Sequence, residues 1–468
     1  MTRESKRIIV VLVAMCILFL SLIAYISYFQ IFQAEKIKNN SYNKRLWIDE
    51  EKTLRGSILD RNGEVLVYSE KREDSQVRHY NYGRLYSHVI GYSYREYGKT
   101  GLELKYNNAL LDINENQAIN EFQNMVSDKT EGNDLKLTID HGLQQKAREL
   151  LSGKKGSIIA MDPVSGEIYA MVSAPDFDAD NLRNDWMSIS ESPDSPLLNR
   201  ATQGLYPPGS IFKIIPAIAL IKSPEVDESY SCTGQTTIDG YTISDYNQKA
   251  HGDIRLKQAL VSSCNTYFAE KSVAVGKEKL GEVADSFQIN KEIDFDLPVK
   301  VSSFPHKGKM GETEIAASAI GQGKVEVTPL NMLMVASTVA NKGEMISPSI
   351  VKNVISKDGK IKNKTQKNVI GNPIGIAMSE EIKEYMVSVV EEGTGKAAAI
   401  SGVSVAGKTG TAENKSENSH AWFMGFAPAD EPKVSVVVLL EEEGSTGGTS
   451  AAPIAREIMQ YAINNINN

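Results

Sequence analysis

The feature that most constrains this chain is an uncharged, mostly apolar run at residues 8–32. Its length of about 25 residues exceeds the roughly 20 that a helix needs to cross a bilayer. A buried core helix rarely stays uncharged this long, and a cleaved signal peptide has a shorter apolar region and a small-x-small site, which residues 24–28 match poorly. We therefore expect an uncleaved membrane anchor at residues 8–32, after a short tail at residues 1–7.

Basic residues flank this run on both sides, so the positive-inside rule does not fix its orientation. They are Arg3, Lys6 and Arg7 before the run, and Lys36, Lys38, Lys44 and Arg45 after it. The polar and charged residues 33–54 are typical of a juxtamembrane linker that is helical in part. The side of the membrane on which the rest of the chain lies must be inferred from the chemistry that the chain carries out.

Composition excludes several classes of protein. A length of 468 residues favours two domains, and a net charge of −8 without a basic stripe argues against a nucleic-acid binder. The six histidines show no zinc-ligand spacing, so we expect no metal and no other cofactor. Three cysteines cannot form a disulfide framework. We expect Cys232 and Cys264 to be free thiols, with a single bridge between them as the alternative.

The two predicted domains are residues 55–133 and residues 134–468. The first is Tyr-rich and polar without a long apolar period, which is typical of a small α+β module. Asn62-Gly63 is a strong hairpin signal within it. The K-T-G sequence Lys99-Thr100-Gly101 in this domain is expected to have a structural role and not a catalytic one.

The second domain shows strand patterns near both of its ends. Asp140 is expected to cap a helix that reaches about Leu151, and another helix is expected at residues 451–463. The middle, residues 175–400, is predicted to be mostly helical. Strands are predicted at residues 156–161, 167–173, 404–408, 421–427 and 433–440. The expected fold is α+β: one antiparallel sheet of about five strands, flanked by helices, with an all-helical part inserted between its halves.

Ser210 and Lys213 are the candidate nucleophile and base. They follow Pro207-Pro208-Gly209 at the expected start of a helix, where residues i and i+3 share a face and partial positive charge collects. A serine hydroxyl needs a base, and a lysine amine can serve if burial or a nearby cation lowers its pKa. Pro216 predicts a kink or a loosened turn just beyond Lys213.

The S-x-x-K motif is weak by itself, because the chain also contains Ser41…Lys44, Ser152…Lys155 and Ser349…Lys352. Two further motifs follow only Ser210 at workable spacing. They are Ser263-Cys264-Asn265, after an amphipathic segment, and Lys408-Thr409-Gly410-Thr411, at the end of a predicted strand. The ordered set of three has a low probability of arising by chance.

These motifs resemble the signature of the penicillin-binding proteins, the serine acyltransferases that crosslink peptidoglycan. With the single span and the N-terminal module, the resemblance is to their class B, monofunctional members, and it covers nearly the whole chain. It implies a transpeptidase domain that shares the β-lactamase fold. Similar segments lie at residues 60–63, 101–103, 251–252, 256–268, 320–323, 327–330, 393–395, 397–398 and 420–428.

The resemblance implies a substrate and a set of roles. Ser210 would attack a stem peptide that ends in D-Ala-D-Ala, with Lys213 as its base. Ser263 would relay a proton to the leaving amine, with Lys408 nearby, and Lys408 would help to keep Lys213 neutral. Asn265 would hold the substrate amide and orient Lys213. The remaining strand residues would bind substrate: Thr409 and Thr411 through their hydroxyls, Gly410 by leaving room, and the backbone N–H groups of Ser210 and Thr411 as the oxyanion hole.

Other readings of the same domain are a serine β-lactamase, a D,D-carboxypeptidase and a β-lactam-sensing receptor. A β-lactamase needs a base that activates a deacylating water, and no motif in this chain clearly marks one. A receptor normally carries several membrane spans. The resemblance also implies β-lactam antibiotics as ligands, a catalytic domain outside the cell membrane, and partners among elongation or division proteins, including a glycan polymerase of the SEDS type. Packing, and not catalysis or ligand contact, is the expected role of Cys264, Trp422 and Phe423. Residues 441–443 are expected to form a solvated turn.

Overall fold

The computed structural model describes residues 3–32, 53–72, 75–113, 131–414 and 418–466. The predicted linker at residues 33–54 lies almost entirely outside the described residues. The first helix, α1, spans Arg3–Phe32, and its segment Ser5–Gln30 has a mean hydropathy of 3.0 with none of it buried in protein. Among the described residues this is the one helix long and apolar enough to cross a membrane, which indicates a single-pass anchor.

Short helices dominate the rest of the chain. After α1 they are α2 (Gly101–Lys105), α3 (Asn107–Leu110), α4 (His141–Leu150), α5 (Leu182–Ser190), α6 (Ile214–Ile221), α7 (Leu256–Ser262), α8 (Asn265–Val275), α9 (Lys277–Ser286), α10 (Glu312–Ala319), α11 (Pro329–Ala340), α12 (Ile376–Glu391) and α13 (Ala451–Asn465). The Asp140 side chain accepts a hydrogen bond from the Leu143 N–H and so caps α4 as predicted. Single 3₁₀ turns lie at Gly209–Lys213, Tyr246–Gln248 and Lys396–Ala398.

Strands occur along the whole chain after the anchor, and most are short. They are β1 (Ile58–Leu59), β2 (Val65–Arg72), β3 (Ser75–Tyr80), β4 (Ser93–Tyr94), β5 (Gly98–Lys99), β6 (Asp134–Leu137), β7 (Gly156–Met161), β8 (Ile168–Ala174), β9 (Tyr230–Cys232), β10 (Gln235–Ile238), β11 (Tyr241–Ser244), β12 (Gly252–Ile254), β13 (Met345–Ile346), β14 (Val351–Ile355), β15 (Ile361–Lys364), β16 (Val369–Gly371), β17 (Ala406–Ala412), β18 (His420–Ala427) and β19 (Val434–Leu440). The asparagine–glycine pair before β2 makes the predicted hairpin turn between β1 and β2.

The central sheet has the order β17-β18-β19-β7-β8, and every neighbouring pair is antiparallel. The prediction of five strands, two early and three late, is confirmed. Residues of β19 alternate between two cores: Val436 and Val438 pack with α4 and α13, and Val437 and Leu439 pack with α11. Because helices cover both faces, the inner strands are buried along their whole length and mostly apolar. Strand β17 is left at the edge, and the K-T-G-T residues of the candidate site lie on it.

A second sheet has the order β15-β14-β6-β1-β2-β3. Strand β6 pairs in parallel with β1 and antiparallel with β14, so strands from residues 58–80 and from residues 351–364 share one sheet. The prediction that residues 175–400 are mostly helical is therefore wrong in part, because β9 to β16 lie there. These strands are two to five residues long, too short to show a clear alternating pattern.

Candidate active site

The candidate nucleophile lies on a 3₁₀ turn, Gly209–Lys213, which continues into the α-helix α6. Side chains at i and i+3 eclipse in a 3₁₀ turn, so Ser210 and Lys213 share one side of it. Pro216 falls in the first turn of α6, where a missing N–H needs no partner within the helix. The predicted kink or loosened turn just beyond Lys213 is therefore wrong, because the chain is α-helical from Ile214 to Ile221 and the tightened 3₁₀ turn lies before it.

Glycines let the stretch around Ser210, residues 207–213 and here called the serine segment, pack closely against its neighbours. The Gly209 N–H donates to the Gly321 carbonyl at 2.9 Å, and a Cβ on Gly321 would lie 2.1 Å from the Gly209 carbonyl oxygen. A Cβ on Gly410 would lie 2.9 Å from the Pro208 carbonyl oxygen and 3.2 Å from the Ile211 nitrogen. The bare backbone of Gly410 thus lets the serine segment sit directly on β17, a structural role that the sequence did not suggest.

Lys213 is fully buried and held by the S-x-N motif. Its Nζ donates to the Ser263 carbonyl at 2.6 Å and to Asn265 Oδ1 at 2.7 Å. Burial lowers its pKa to about 8, although the nearby Cys264 and Asp245 favour the charged form. A neutral amine has two N–H bonds, and both have a carbonyl acceptor here, so its lone pair stays free to take a proton.

Lys408 is also fully buried, across from Lys213. Its Nζ donates to Ser263 Oγ at 3.0 Å and to the Thr409 carbonyl at 2.9 Å. Burial and then the Lys213 charge hold its pKa well below the ordinary value. Ser263 Oγ also lies 3.4 Å from Lys213 Nζ. One hydroxyl therefore connects the two amines and can pass a proton between them.

The S-x-N motif is the junction between α7 and α8. Ser263 adopts a left-handed conformation with φ 58° and ψ 38°, which costs a non-glycine residue about 1–3 kcal/mol. This sharp turn lets the Ser263 carbonyl and the Asn265 amide oxygen both accept from Lys213. Asn265 is fixed in turn, because its Nδ2 donates to the Ser244 carbonyl at 2.9 Å and its backbone N–H donates to Asp245. No motif singled out Asp245 in the sequence.

The K-T-G-T motif lies inside β17 and not at the end of a strand, so the predicted strand at residues 404–408 is placed too early. Small and polar residues after Lys408 hide the strand from a hydrophobicity pattern. Thr409 Oγ1 is 2.6 Å from Thr394 Oγ1 and is buried. Thr411 is exposed, and its Oγ1 accepts from the Gly447 N–H at 3.3 Å. Thr394 is a neighbour of the motif that the sequence gave no reason to choose.

The side chains of Lys213, Ser263, Asn265 and Lys408 thus form one hydrogen-bonded group. Ser210 is half-buried and joins it through the shared 3₁₀ turn; among the described residues its hydroxyl makes no side-chain hydrogen bond to this group. The strand residues Thr409 to Thr411 border the same space, since β17 contacts the serine segment at Gly410.

A buried cluster of side chains, here called the brace, packs against the serine segment. It consists of Arg200, Tyr206, Trp422 and Glu441. Glu441 pairs with Arg200 at 3.0 Å and accepts a hydrogen bond from the Tyr206 hydroxyl. Trp422 is fully buried, stacks edge-on against Tyr206 and donates from Nε1 to the Pro207 carbonyl at 3.2 Å. The predicted core position of Trp422 is confirmed. The predicted solvated turn at residues 441–443 is wrong for Glu441, because its partners come from distant parts of the chain.

The fold and the arrangement of these three motifs define a serine acyltransferase of the penicillin-recognising class. The chain belongs to the penicillin-binding protein transpeptidase family: the model of the penicillin binding protein transpeptidase domain matches residues 156–460. The model of the penicillin binding protein A dimerisation domain matches residues 55–135.

Relatives with this architecture cover almost the whole chain. Peptidoglycan D,D-transpeptidase PbpA of Mycolicibacterium smegmatis is 30% identical over 97% of this chain and 98% of its own length. MrdA of Acinetobacter baumannii is 30% identical over 83% of this chain and 66% of its own. A ceftriaxone acyl-enzyme structure of penicillin-binding protein A from M. tuberculosis superposes with a TM-score of 0.82 at 28% identity, covering 89% of this chain and all of that one.

Proposed function

We propose that this protein is a peptidoglycan D,D-transpeptidase that forms an acyl-enzyme on Ser210 and transfers it to an amine of a neighbouring stem peptide. The observation that carries the proposal is the buried Lys213, which has a pKa near 8 and both N–H bonds accepted by the S-x-N motif. Such an amine is ready to act as a base beside a serine. The D,D-transpeptidase names of the relatives supply the substrate class.

Acylation follows from the positions of these groups. The Ser210 hydroxyl gives its proton to Lys213 Nζ while its oxygen bonds to the penultimate D-Ala carbonyl carbon. The peptide bond to the last D-Ala then breaks, and its nitrogen takes a proton from Ser263 Oγ, which hydrogen-bonds to Lys408. The Lys213 ammonium, 3.4 Å from Ser263 Oγ, passes the Ser210 proton to it, so that Lys213 and Ser263 are both neutral again. The ester remains on Ser210 and free D-Ala leaves.

Transfer reverses the proton path. The acceptor amine attacks the ester carbonyl and gives a proton back through Ser263, and Lys213 returns one to Ser210 as the ester bond breaks. The backbone N–H groups of Ser210 and Thr411 are proposed to hold the oxyanion in both steps, each worth roughly 3–4 kcal/mol. The direct packing of the serine segment on β17 supports this pairing, because it brings the two backbones together.

Substrate binding is assigned to the edge of β17 and to the S-x-N motif. The exposed Thr411 hydroxyl is suited to the terminal carboxylate. The Thr409 hydroxyl is held by its hydrogen bond to the Thr394 hydroxyl. Asn265 has one amide hydrogen left after its bond to Ser244, and we assign that hydrogen to the substrate backbone. The same cleft is expected to take β-lactam antibiotics.

The chain is proposed to lie with residues 1–7 in the cytoplasm, residues 8–32 in the cell membrane and both domains, residues 55–133 and 134–468, outside. The outward orientation rests on the substrate, since peptidoglycan stems are crosslinked outside the membrane. A glycan polymerase of the SEDS type and other elongation or division proteins are the proposed partners, because the three motifs provide crosslinking chemistry alone.

Labelling with a fluorescent penicillin tests the proposal. We expect Ser210→Ala to abolish stable labelling, while Ser152→Ala, which removes the serine of another S-x-x-K sequence, leaves it intact. Full labelling of Ser210→Ala would overturn the nucleophile assignment, and rapid loss of label from the wild type would indicate a β-lactamase. With lipid-linked substrate and a partner polymerase we expect crosslinked product. Trimmed stems alone would indicate a carboxypeptidase.

A further inference from the structure

A short loop at residues 320–323 follows α10 and packs against the serine segment. The Gly209 N–H donates to the Gly321 carbonyl at 2.9 Å, and a Cβ on Gly321 would lie 2.1 Å from the Gly209 carbonyl oxygen. A Cβ on Gly209 would lie 2.6 Å from the Thr411 carbonyl oxygen of β17. Gly209 is therefore enclosed by β17 and by this loop, and the mechanism proposed above uses no side chain of the loop.

Two glycines and backbone hydrogen bonds set the conformation of this loop. Gly321 and Gly323 both have a φ of 72°, in the left-handed region that favours glycine. The Gly321 N–H donates to the Ser318 carbonyl and the Gln322 N–H donates to the Ala317 carbonyl, both at 3.0 Å. Gln322 thus lies between two glycines on a turn whose hydrogen bonds need nothing from its side chain.

Gln322 carries an amide that the fold leaves unused. The residue is half-buried, and its side chain makes no hydrogen bond within the part of the chain that the structure describes. A glutamine amide offers two donor hydrogens and an acceptor oxygen, and a peptide backbone offers the matching acceptor and donor. The side chain is therefore suited to bind a peptide that enters the cleft.

This amide is within reach of a peptide bound at Ser210. Because the Gly321 carbonyl accepts from the Gly209 N–H, the next residue, Gln322, has its Cα within about 6 Å of the Gly209 nitrogen. A glutamine amide extends roughly 5 Å from its own Cα. Ser210 follows Gly209 directly, so the amide can contact a peptide chain that lies over the nucleophile.

We propose that Gln322 is a specificity-determining residue whose amide donates a hydrogen bond to a backbone carbonyl of the stem peptide, two or more residues before the penultimate D-Ala. This role rests on the proposed transpeptidase function. Thr411 is assigned the terminal carboxylate and Asn265 a backbone group near Ser210, so the earlier part of the stem is left for Gln322. Such a contact reads the length of the peptide and not its side chains, and it favours a stem over a short ligand such as penicillin.

Acylation of the full-length protein by two ligands of different length tests this role. The long ligand is a soluble stem pentapeptide that ends in D-Ala-D-Ala, followed by the release of D-Ala, and the short one is the fluorescent penicillin. We expect Gln322→Ala to lower kcat/KM for the pentapeptide by about 3- to 10-fold, mainly through a higher KM, because one neutral hydrogen bond to the bound peptide is lost. Labelling by penicillin should stay within about twofold of wild type.

Two further variants complete the test. Gln322→Glu keeps the size of the side chain but has no amide hydrogens, so it should weaken the pentapeptide reaction as much as Gln322→Ala does. Lys324→Ala, on the same chain segment, removes an exposed side chain that pairs with Glu314 at 2.7 Å, and it should leave both reactions unchanged.

The outcomes separate this role from the proposed function. With an active wild type, an unchanged pentapeptide reaction in Gln322→Ala would overturn the role of Gln322 alone, and so would an equal loss with both ligands, which would indicate a packing defect. A wild type that is labelled by penicillin but releases no D-Ala from the pentapeptide would refute the proposed function, and the role of Gln322 with it.

Discussion

The pH dependence of acylation follows from the buried Lys213. Its pKa is about 8, and the neutral amine is the proposed base, so the rate should rise as pH rises through 8. Such a base is neutral in about one molecule in eleven at pH 7 and in about ten of eleven at pH 9. We therefore expect acylation to be about tenfold faster at pH 9 than at pH 7.

Asn265→Asp should move this profile to higher pH. The change is nearly isosteric and places a carboxylate oxygen where Asn265 Oδ1 now lies, 2.7 Å from Lys213 Nζ. A carboxylate this close favours the charged amine and raises its pKa by roughly 1 to 3. The neutral fraction of Lys213 at pH 8 would fall from about one half to between about one tenth and one thousandth, which is a drop of about fivefold to several hundredfold in rate.

The assay is the second-order rate constant for labelling by a fluorescent penicillin, measured from about pH 6 to about pH 10. Asn265→Asp should shift the midpoint upward. Thr411→Val, which removes an exposed hydroxyl assigned to the substrate carboxylate, should lower the rate at every pH and leave the midpoint near 8. A lower rate with an unmoved midpoint in Asn265→Asp would refute the assignment of Lys213 as the base.

Three further substitutions test the packing around the site and in the N-terminal module. Gly410→Ala places a Cβ 2.9 Å from the Pro208 carbonyl oxygen and should slow penicillin labelling by about tenfold or more with little change in thermal midpoint; unchanged labelling would contradict the close fit. Glu441→Gln leaves the Arg200 guanidinium buried without its charge partner and should reduce the free energy of urea unfolding by about 3–5 kcal/mol, whereas a loss under about 1 kcal/mol would show that the brace is dispensable. Glu103→Gln removes the fully buried carboxylate that two arginines share at 2.6 and 2.8 Å, and should destabilise the N-terminal module by a similar amount while the labelling rate of folded protein stays the same.

The sequence predicted the central sheet well because its strands are long and fully buried. Residues 158–161 and 436–440 are continuous apolar runs next to clear turns, and such runs leave few alternatives. The second sheet was missed for the opposite reason. Its strands β14 and β15 are short, β15 is exposed along its whole length, and both lie far in sequence from β1 and β6, so only the tertiary fold brings them together.

Some residues of the candidate site could likewise be predicted from the sequence, and others could not. The three motifs could be chosen from spacing and order, and Lys213, Ser263, Asn265 and Lys408 do meet. Asp245 and Thr394 could not be chosen, because each acts through contacts that only folding makes.

The two buried lysines explain why the site needs such close support. Lys213 and Lys408 are both fully buried and both contact Ser263 Oγ, so two ammonium groups would repel each other at short range without water to screen them. The pKa of each lysine is lowered by burial, and that of Lys408 also by Lys213. A fold can keep two amines inside only if their N–H bonds find acceptors, and the carbonyl groups of Ser263, Asn265 and Thr409 together with Ser263 Oγ provide them. The left-handed backbone at Ser263 places one of these acceptors. That strained residue therefore supports the proposed role of Lys213 as the base.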